Sequence, residues 1–458
     1  MRLSAVQCDR VAGVLVGTAA GDALGAGYEF TKPSKNAVID MVGGGHFRWA
    51  PGEWTDDTSM TIGVARALAE SADLGTSEGL DAVAAEFLRW YDSDPADIGN
   101  QTRAVLSHRS RTAVDMVWHA KNLGEHKQGN GSLMRTAPVA LAYLDDLQGC
   151  VDAAAAVSEL THPAGEAVDA CRIWSAAIRY AVLHGSFDGV RKAVTLSSDP
   201  GRWNHLLDEA EHGAPENFSN NGWVVHALQT AWWAITNADA SSPRHLQQAL
   251  ELCVRAGADT DTTAAIAGGL LGARWGVSAI PARWRRIMHG YPGLRSNDLA
   301  RLAVRIAFDS GRDELGWPQA DIIDYQGYRT DHKAVHPHDD GVVLSGAAHY
   351  STEPVDAVLS LCRVGTTPIR AEHIEFWLVD GGVDRNANLD FVLDDAARTI
   401  NDLRRAGKRV LVHCVEGKSR TAAVAARYAV LLGRNPDDVR KAMPWAKPHP
   451  ALWASATR

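Results

Sequence analysis

The sequence predicts two domains of different class, an all-α domain followed by a smaller α/β domain. Three observations carry this reading. The chain has 458 residues, more than one hydrophobic core usually organises. Its first three hundred residues run as one Ala-rich helical period after another. Beyond about residue 338, short apolar runs alternate with helical patterns, the texture of a sheet covered by helices.

The elements follow in order. Residues 11–27 are apolar but broken by Gly13, Gly17, Gly21, Asp22 and Gly25, with little positive charge before them. This pattern predicts a buried, Gly-rich helix rather than a signal segment. No other apolar run approaches the roughly 20 residues that span a bilayer, so no membrane partner is expected. Helical periods recur at 81–90, 151–160, 164–183, 224–235 and 245–256. From Gly311 to Asp340 the chain turns polar and proline-bearing without a sustained period. The expected organisation is therefore a helical domain over 1–312, a linker over 313–337 and an α/β domain over 338–458. Within the last, 341–345, 357–362, 375–379 and 409–413 are strand candidates, and 389–405 and 421–432 are helices.

Composition narrows the function classes. A formal net charge of −9 gives no basic field for a phosphate backbone, which argues against nucleic acid. The six cysteines are scattered without CxxC pairing, which suits reduced thiols in a cytoplasm and disfavours a structural zinc site.

Two segments carry chemistry. In the first, Cys414 follows an apolar strand and precedes a helix beginning near Arg420, so residues 415–420 form a tight loop at a helix N-terminus, an anion cradle. The dipole there, with His413 adjacent, favours a thiolate nucleophile. Arg420 supplies a bidentate fork for phosphoryl oxygens, and Thr421 can donate a proton to the thiolate when the phosphoenzyme breaks down. A leaving oxygen needs an acid; Asp380, ahead of Gly381-Gly382, is the first candidate and Asp384 the second.

This stretch resembles the dual-specificity protein phosphatases, whose signature HCxxGxxR(S/T) stands here as His413-Cys414-Val-Glu-Gly417-Lys-Ser-Arg420-Thr421. The likeness covers roughly residues 338–458. It implies phosphomonoester hydrolysis through a cysteinyl-phosphate, without a cofactor, with Cys414 as nucleophile, Arg420 as phosphate binder and Asp380 as acid; His413, Gly417 and Thr421 are expected as substrate-binding residues. Glu416 adds a carboxylate near the anion.

In the second segment, Thr55-Asp56-Asp57 and Asp259-Thr-Asp261-Thr262 are the densest Asp/Thr clusters of the helical region. Each follows a glycine-bearing turn (Gly52, Gly257) and leads into a small-residue helix. Helix capping accounts for one member of each. Converging aspartates without basic partners repel, and a pair of hard cations, magnesium or manganese rather than zinc, would cancel the charge. The turn Gly129-Asn130-Gly131-Ser132 can turn N–H groups and a hydroxyl toward a diphosphate. Thr161-His162 brings an imidazole to a helix start, and Asn220-Asn-Gly222-Trp223 adds amides and an aromatic face for a base.

Assembled in order, these blocks resemble the ADP-ribosylglycohydrolase family. The chain carries Gly13-x3-Gly17-x3-Gly21-Asp22-Ala-Leu-Gly25, Glu29, Trp54-Thr-Asp-Asp-Thr58, Asp97-Ile-Gly99, Gly129-Asn-Gly-Ser-Leu-Met-Arg135, Thr161-His162, Asn221-Gly-Trp223 and Ala258-Asp-Thr-Asp-Thr-Thr-Ala264. Coverage runs from about residue 8 to about 310. The likeness implies a compact all-α fold holding two Mg²⁺ or Mn²⁺ on Thr55, Asp56, Asp57, Asp259, Asp261 and Thr262. It implies ADP-ribose recognition by Gly129, Asn130, Gly131, Ser132 and His162, to which Gly222 is added. Ala258 departs from the usual glycine. Such a centre binds ribose hydroxyls, orients the anomeric carbon and activates a water; Glu29 or Asp97 serves as base or ribose anchor.

Three function classes compare. The favoured one is a bifunctional hydrolase acting on ADP-ribosylated protein or an ADP-ribose-containing small molecule at one site and on a phosphorylated protein or metabolite at the other. The second keeps only the glycohydrolase and has the C-terminal domain bind phosphorylated partners; intact Cys414 and Asp380 argue against it. The third, an ADP-ribose sensor without turnover, would go with loss of a metal carboxylate, and none is lost.

Overall fold

A computed structural model describes residues 3–70, 72–124, 128–308, 330–364 and 369–458. It divides into two compact units, one made chiefly of residues 10–280 and the other of 330–458. Residues 313–329 of the expected linker lie outside the described residues.

The first unit is helical, as its periodicity predicts. The five expected periods lie in the helices Ser77–Tyr91, Leu147–Glu159, Gly165–His184, Val224–Asn237 and Arg244–Ala256. Thr76 caps the first by accepting from Gly79 N, and Gly185, at φ +65°, ends the third. At the centre, α1 (Ala5–Gly25) packs against a later helix that starts at the second Asp/Thr cluster. Residues 11–26 of α1 and its continuation are all buried, which makes this apolar stretch a core helix.

With α2 spanning Asp56–Ala69 and α3 spanning Thr260–Trp275, the reason for the glycine stripe is clear. A Cβ added at Gly13, Gly17, Gly21 or Gly25 would meet the α3 backbone at Gly272, Gly268, Ala264 and Asp261 respectively. The order runs opposite along the two helices, so they are antiparallel at backbone contact. That crossing sets Asp22 of α1 beside the start of α3.

The second unit is built on a five-stranded sheet: β1 (Lys333–His336), β2 (Asp339–Ser345), β3 (Ala357–Ser360), β4 (Glu372–Glu375) and β5 (Val410–His413). Their order is β1-β2-β5-β3-β4, antiparallel between β1 and β2 and parallel elsewhere. Alternation sorts the side chains onto two faces. Val342, Leu344, Leu359, Val410 and Val412 join a core with α4 (Leu389–Arg405) and α5 (Arg420–Leu431), while Val343, Val358 and Leu411 join a smaller cluster with Tyr350 and Val364.

Two expectations are corrected. Residues 333–336, assigned to the linker, form the edge strand β1. The strand expected at 375–379 lies at Glu372–Glu375. After Phe376 N donates to Ser360 O, the backbone of Val379 pairs instead with the Asn386 side chain, at 2.7 and 3.0 Å, which takes the chain out of the sheet.

Candidate active sites

The start of α2 and the start of α3 meet at one carboxylate centre. Thr55 and Asp259 occupy the two N-cap positions, yet neither side chain caps its helix. Asp22 serves α2 instead, accepting from Thr55 N and Thr58 N at 2.9 Å and from Thr58 Oγ1 at 2.6 Å. The cap-position side chains are thereby available to the centre. Thr55 Oγ1 lies 3.2 Å and Thr262 Oγ1 3.4 Å from Asp57 Oδ2. Ligand oxygens of Asp22, Asp57 and Asp261 lie within 4.8 Å of one another, as do those of Glu29, Asp259 and Asp261.

Arg103 tempers Asp97 and Arg135 feels the charge of Asp56, yet burial raises every carboxylate of the centre. Burial and the neighbouring Asp97, Asp259 and Asp56 push Glu29 up to about 9; burial, then Asp97 and Asp259, raise Asp56; Asp57, Asp97 and Asp261 shift in the same direction. Glu29 Oε2, Asp57 Oδ1 and Asp259 Oδ1 are buried without a hydrogen-bond partner. Orphaned hard oxygen acceptors clustered in this way fit divalent cations. Sequence reasoning placed Asp22 in a motif but not in the site; a lone Asp at a helix end carries no signal of what it will face.

Above the centre opens a pocket of about 870 Å³, walled by Asp97 to Thr102, Gly129 to Gly131, His162, Gly222 and Trp223, with Glu29, Asp56, Asp259, Asp261 and Thr262 at its floor. Asn130 ties wall to floor, donating to Asp259 Oδ2 at 2.7 Å and to Asn221 O at 2.9 Å. Asn221 in turn accepts from Asp259 N and donates to Gly257 O. Ala258 sits at φ +61°, the strained conformation that explains a preference for glycine there.

His162 is buried, and burial with nearby Arg135 holds its pKa well below the usual imidazole range, so it is neutral. Arg135 Nη2 donates to Thr161 Oγ1 at 2.7 Å, which leaves the threonine proton for His162 Nδ1, also at 2.7 Å. With the threonine as donor to Nδ1, the neutral ring carries its proton on Nε2. A Cβ at Gly131 would come within 3.1 Å of that ring. Ser132 is a correction: it is fully buried and does not line the pocket, its Oγ taking a bond from Ser158 Oγ at 2.9 Å and one from Cys171 Sγ at 3.5 Å.

In the second unit, Cys414 is 3% exposed at the end of β5, and the chain loops to α5 at Arg420. The loop's carbonyls bond outward: Val415 O accepts from Ala347 N, Glu416 O from Thr330 Oγ1 and Lys418 O from Lys447 N. Because peptide planes are trans, the following N–H groups, of Glu416, Gly417 and Ser419, turn to the opposite, concave side. Gly417 allows this at φ +70°, where a Cβ would come within 2.7 Å of Gly346 N. Arg420 Nη1 donates to Leu361 O and Leu378 O, which fixes the guanidinium. Asp380 Oδ1 accepts from Ser419 Oγ at 2.6 Å, so this acid docks on the loop, whereas Asp384 is exposed. The Glu416 carboxylate pairs with Lys418 at 2.7 Å.

Two expectations are corrected here. The Thr421 hydroxyl donates to Ser345 O at 3.3 Å rather than to the thiol. Burial drives His413 down to about 3, so it is neutral and adds no positive charge beside Cys414. His413 acts instead as a wedge, hydrogen-bonded to Ser360 Oγ at 2.6 Å and stacked on Tyr350.

A helical domain with a cation-ready carboxylate centre under a wide pocket, followed by an α/β domain with a cysteine-headed anion loop, defines a two-domain hydrolase. Residues 3–313 match the family model of ADP-ribosylglycohydrolase, and residues 346–444 match that of the dual specificity phosphatase catalytic domain. The chain belongs to the ADP-ribosylglycohydrolase family and carries a C-terminal domain of the second kind. It is similar to ADP-ribosylarginine hydrolase Tri1 of Pseudomonas putida, 34% identical over 288 residues, covering 60% of this chain and 73% of the relative. It is 31% identical to the ADP-ribosyl-(dinitrogen reductase) glycohydrolase of Rhodospirillum rubrum, covering 60% and 89%. Among solved structures, an ADP-ribosylglycohydrolase-related protein complex aligns with TM-score 0.55 at 29% identity, covering 66% of this chain and 98% of that one.

Proposed function

We propose that the first domain releases ADP-ribose from arginine side chains of modified proteins and that the second hydrolyses phosphomonoesters on a phosphorylated protein or metabolite. The observation that carries the first half is the set of orphaned carboxylate oxygens at the centre, those of Glu29 and Asp259 at the floor of the pocket and that of Asp57 buried beside them. Two Mg²⁺ or Mn²⁺ ions held by Thr55, Asp56, Asp57, Asp259, Asp261 and Thr262 would supply Lewis acidity toward the ribose hydroxyls and water. The chain's own groups do the rest. The Gly129–Gly131 turn and His162 Nε2 offer donors for diphosphate oxygens, and the Trp223 ring offers a face for the base. Glu29 and Asp97 remain for proton transfer and for anchoring the ribose. Arginine as the linkage is supported by the likeness to ADP-ribosylarginine hydrolase Tri1.

In the second domain, Cys414 attacks phosphorus, the loop amides and Arg420 hold the phosphoryl oxygens, and Asp380 protonates the leaving oxygen. A domain that only binds phosphate has no use for an acid docked on its loop, which favours turnover. Six buried free cysteines suit a reducing cytoplasm.

The test uses the full chain with an ADP-ribosylarginine peptide and with p-nitrophenyl phosphate, each with Mn²⁺ and with chelator. Peptide turnover is expected to need the cation and to fall at least 100-fold in Asp261→Ala, while Cys414→Ser abolishes only phosphate release. Chelator-insensitive peptide turnover, or equal loss of both activities in either variant, overturns the assignment.

A further inference from the structure

The pocket has a second aromatic surface that the proposed roles leave unused. Phe30, His46 and Phe47 line it, with ring centroids 5.9 Å apart for Phe30–His46 and 4.9 Å for His46–Phe47. Phe30 is 63% exposed, so ordinary core packing does not account for its position. Its backbone sits at φ +59°, an outlier for a bulky residue, held there by Phe30 N donating to Ala258 O at 2.7 Å and by the pairing of Thr31 with Ala258. Strain of this kind persists where the surrounding structure imposes it, and it concentrates at ligand sites. The rest of the segment is fixed in the same way, since Arg255 donates to Lys35 O and Ala37 O.

Connectivity around the rim says which end of a substrate this surface meets. The Gly129 turn pairs with Trp223, so diphosphate and base belong on that side. Asn130 of the turn binds Asp259, and Asp259 shares a carboxylate group with Glu29, the residue before Phe30. The centre therefore lies between the diphosphate turn and Phe30. A ribose seated on it with C5′ toward Gly129 directs its C1′ substituent toward Phe30 and Phe47.

We infer that Phe30 and Phe47 form the leaving-group subsite and select a planar cation, the guanidinium of arginine, by stacking and cation–π contact. A guanidinium stacks on aromatic faces better than an ammonium does, and both rings line the pocket beside the centre. This subsite rests on the proposed arginine-linked substrate.

The test compares kcat/KM for an ADP-ribosylarginine peptide with the Kd of free ADP-ribose, which lacks a leaving group, on the Mn²⁺-loaded full chain. Phe47→Leu keeps apolar area but removes the π face; peptide kcat/KM is expected to fall about tenfold with the ADP-ribose Kd within twofold. Phe30→Gly is expected to show the same split while its thermal midpoint holds or rises, because the left-handed strain is relieved. An unchanged kcat/KM in Phe47→Leu overturns the inference, as does a parallel loss of ADP-ribose affinity, which would make the rings a base platform. Failure of the wild-type chain to cleave the peptide would instead overturn the arginine reading on which the subsite stands.

Discussion

At the scale of the residue, burial decides which groups keep a charge. His413 precedes the nucleophile in the sequence and invites a role as a cation, yet it is enclosed by Ser360 and Tyr350 and held neutral, down to about 3. An unfolded histidine takes its proton near 6.5. As pH falls below that value the unfolded chain binds a proton that the native chain refuses, so stability drops on acidification. The slope is about 1.4 kcal/mol per pH unit, or about 2 kcal/mol by pH 5. Denaturant unfolding across pH 7.5 to 5 is expected to give a shallower pH dependence for His413→Gln than for wild type. Parallel pH profiles of the two proteins would show that this imidazole does not titrate on unfolding.

At the scale of the element, the glycine stripe of α1 does what a pocket wall cannot, bringing two helix backbones close enough to present Asp22 beside Asp261. A Cβ at Gly17 would land on the Gly268 carbonyl oxygen of α3, and neither backbone has room to give. Gly17→Ala is expected to cost about 3 kcal/mol or more, the upper range for overpacking. Gly165→Ala, whose Cβ meets nothing within 4 Å at a helix start, is expected to leave thermal unfolding unchanged or slightly raised. Equal midpoints for the two variants would count against a close crossing. The spacing of these glycines was legible in the sequence, as were the helical periods and the strand-loop-helix at Cys414. The edge strand β1 was not, because four residues of Lys-Ala-Val-His beside a proline carry too little alternation. The strand at Glu372–Glu375 was read three residues late because its apolar continuation, Phe376 to Leu378, is buried too; Asn386, which pairs with the chain there, is distant in pattern. Thr55, Asp57, Asp261 and Thr262 could be read as a converging set, but Asp22 and the Asn130–Asn221 brace could not, since each depends on contacts across tens to hundreds of residues.

At the scale of the whole molecule, the carboxylate centre is a liability to folding that a ligand converts into an asset. Asp22, Asp57 and Asp261 crowd within 4.8 Å, and burial withholds the water that would screen them. Without cations the native state carries this repulsion and the unfolded chain does not. Any cation that binds only the native centre stabilises the chain by RT ln(1 + [L]/Kd), about 2.7 kcal/mol at a hundredfold excess over Kd. Removing one carboxylate should therefore act in opposite directions in the two conditions. In chelator, Asp57→Asn relieves repulsion at nearly constant volume and is expected to raise the midpoint of thermal unfolding above that of wild type. In saturating Mn²⁺ it loses a ligand, and its cation-induced rise is expected to shrink to less than half of the wild-type shift. Cys414→Ser serves as the reference, because the anion loop draws on loop amides and Arg420 rather than on cations, and its Mn²⁺ shift should match that of wild type. A midpoint for Asp57→Asn that follows wild type in both chelator and Mn²⁺ would mean that the centre neither repels itself nor binds the ion.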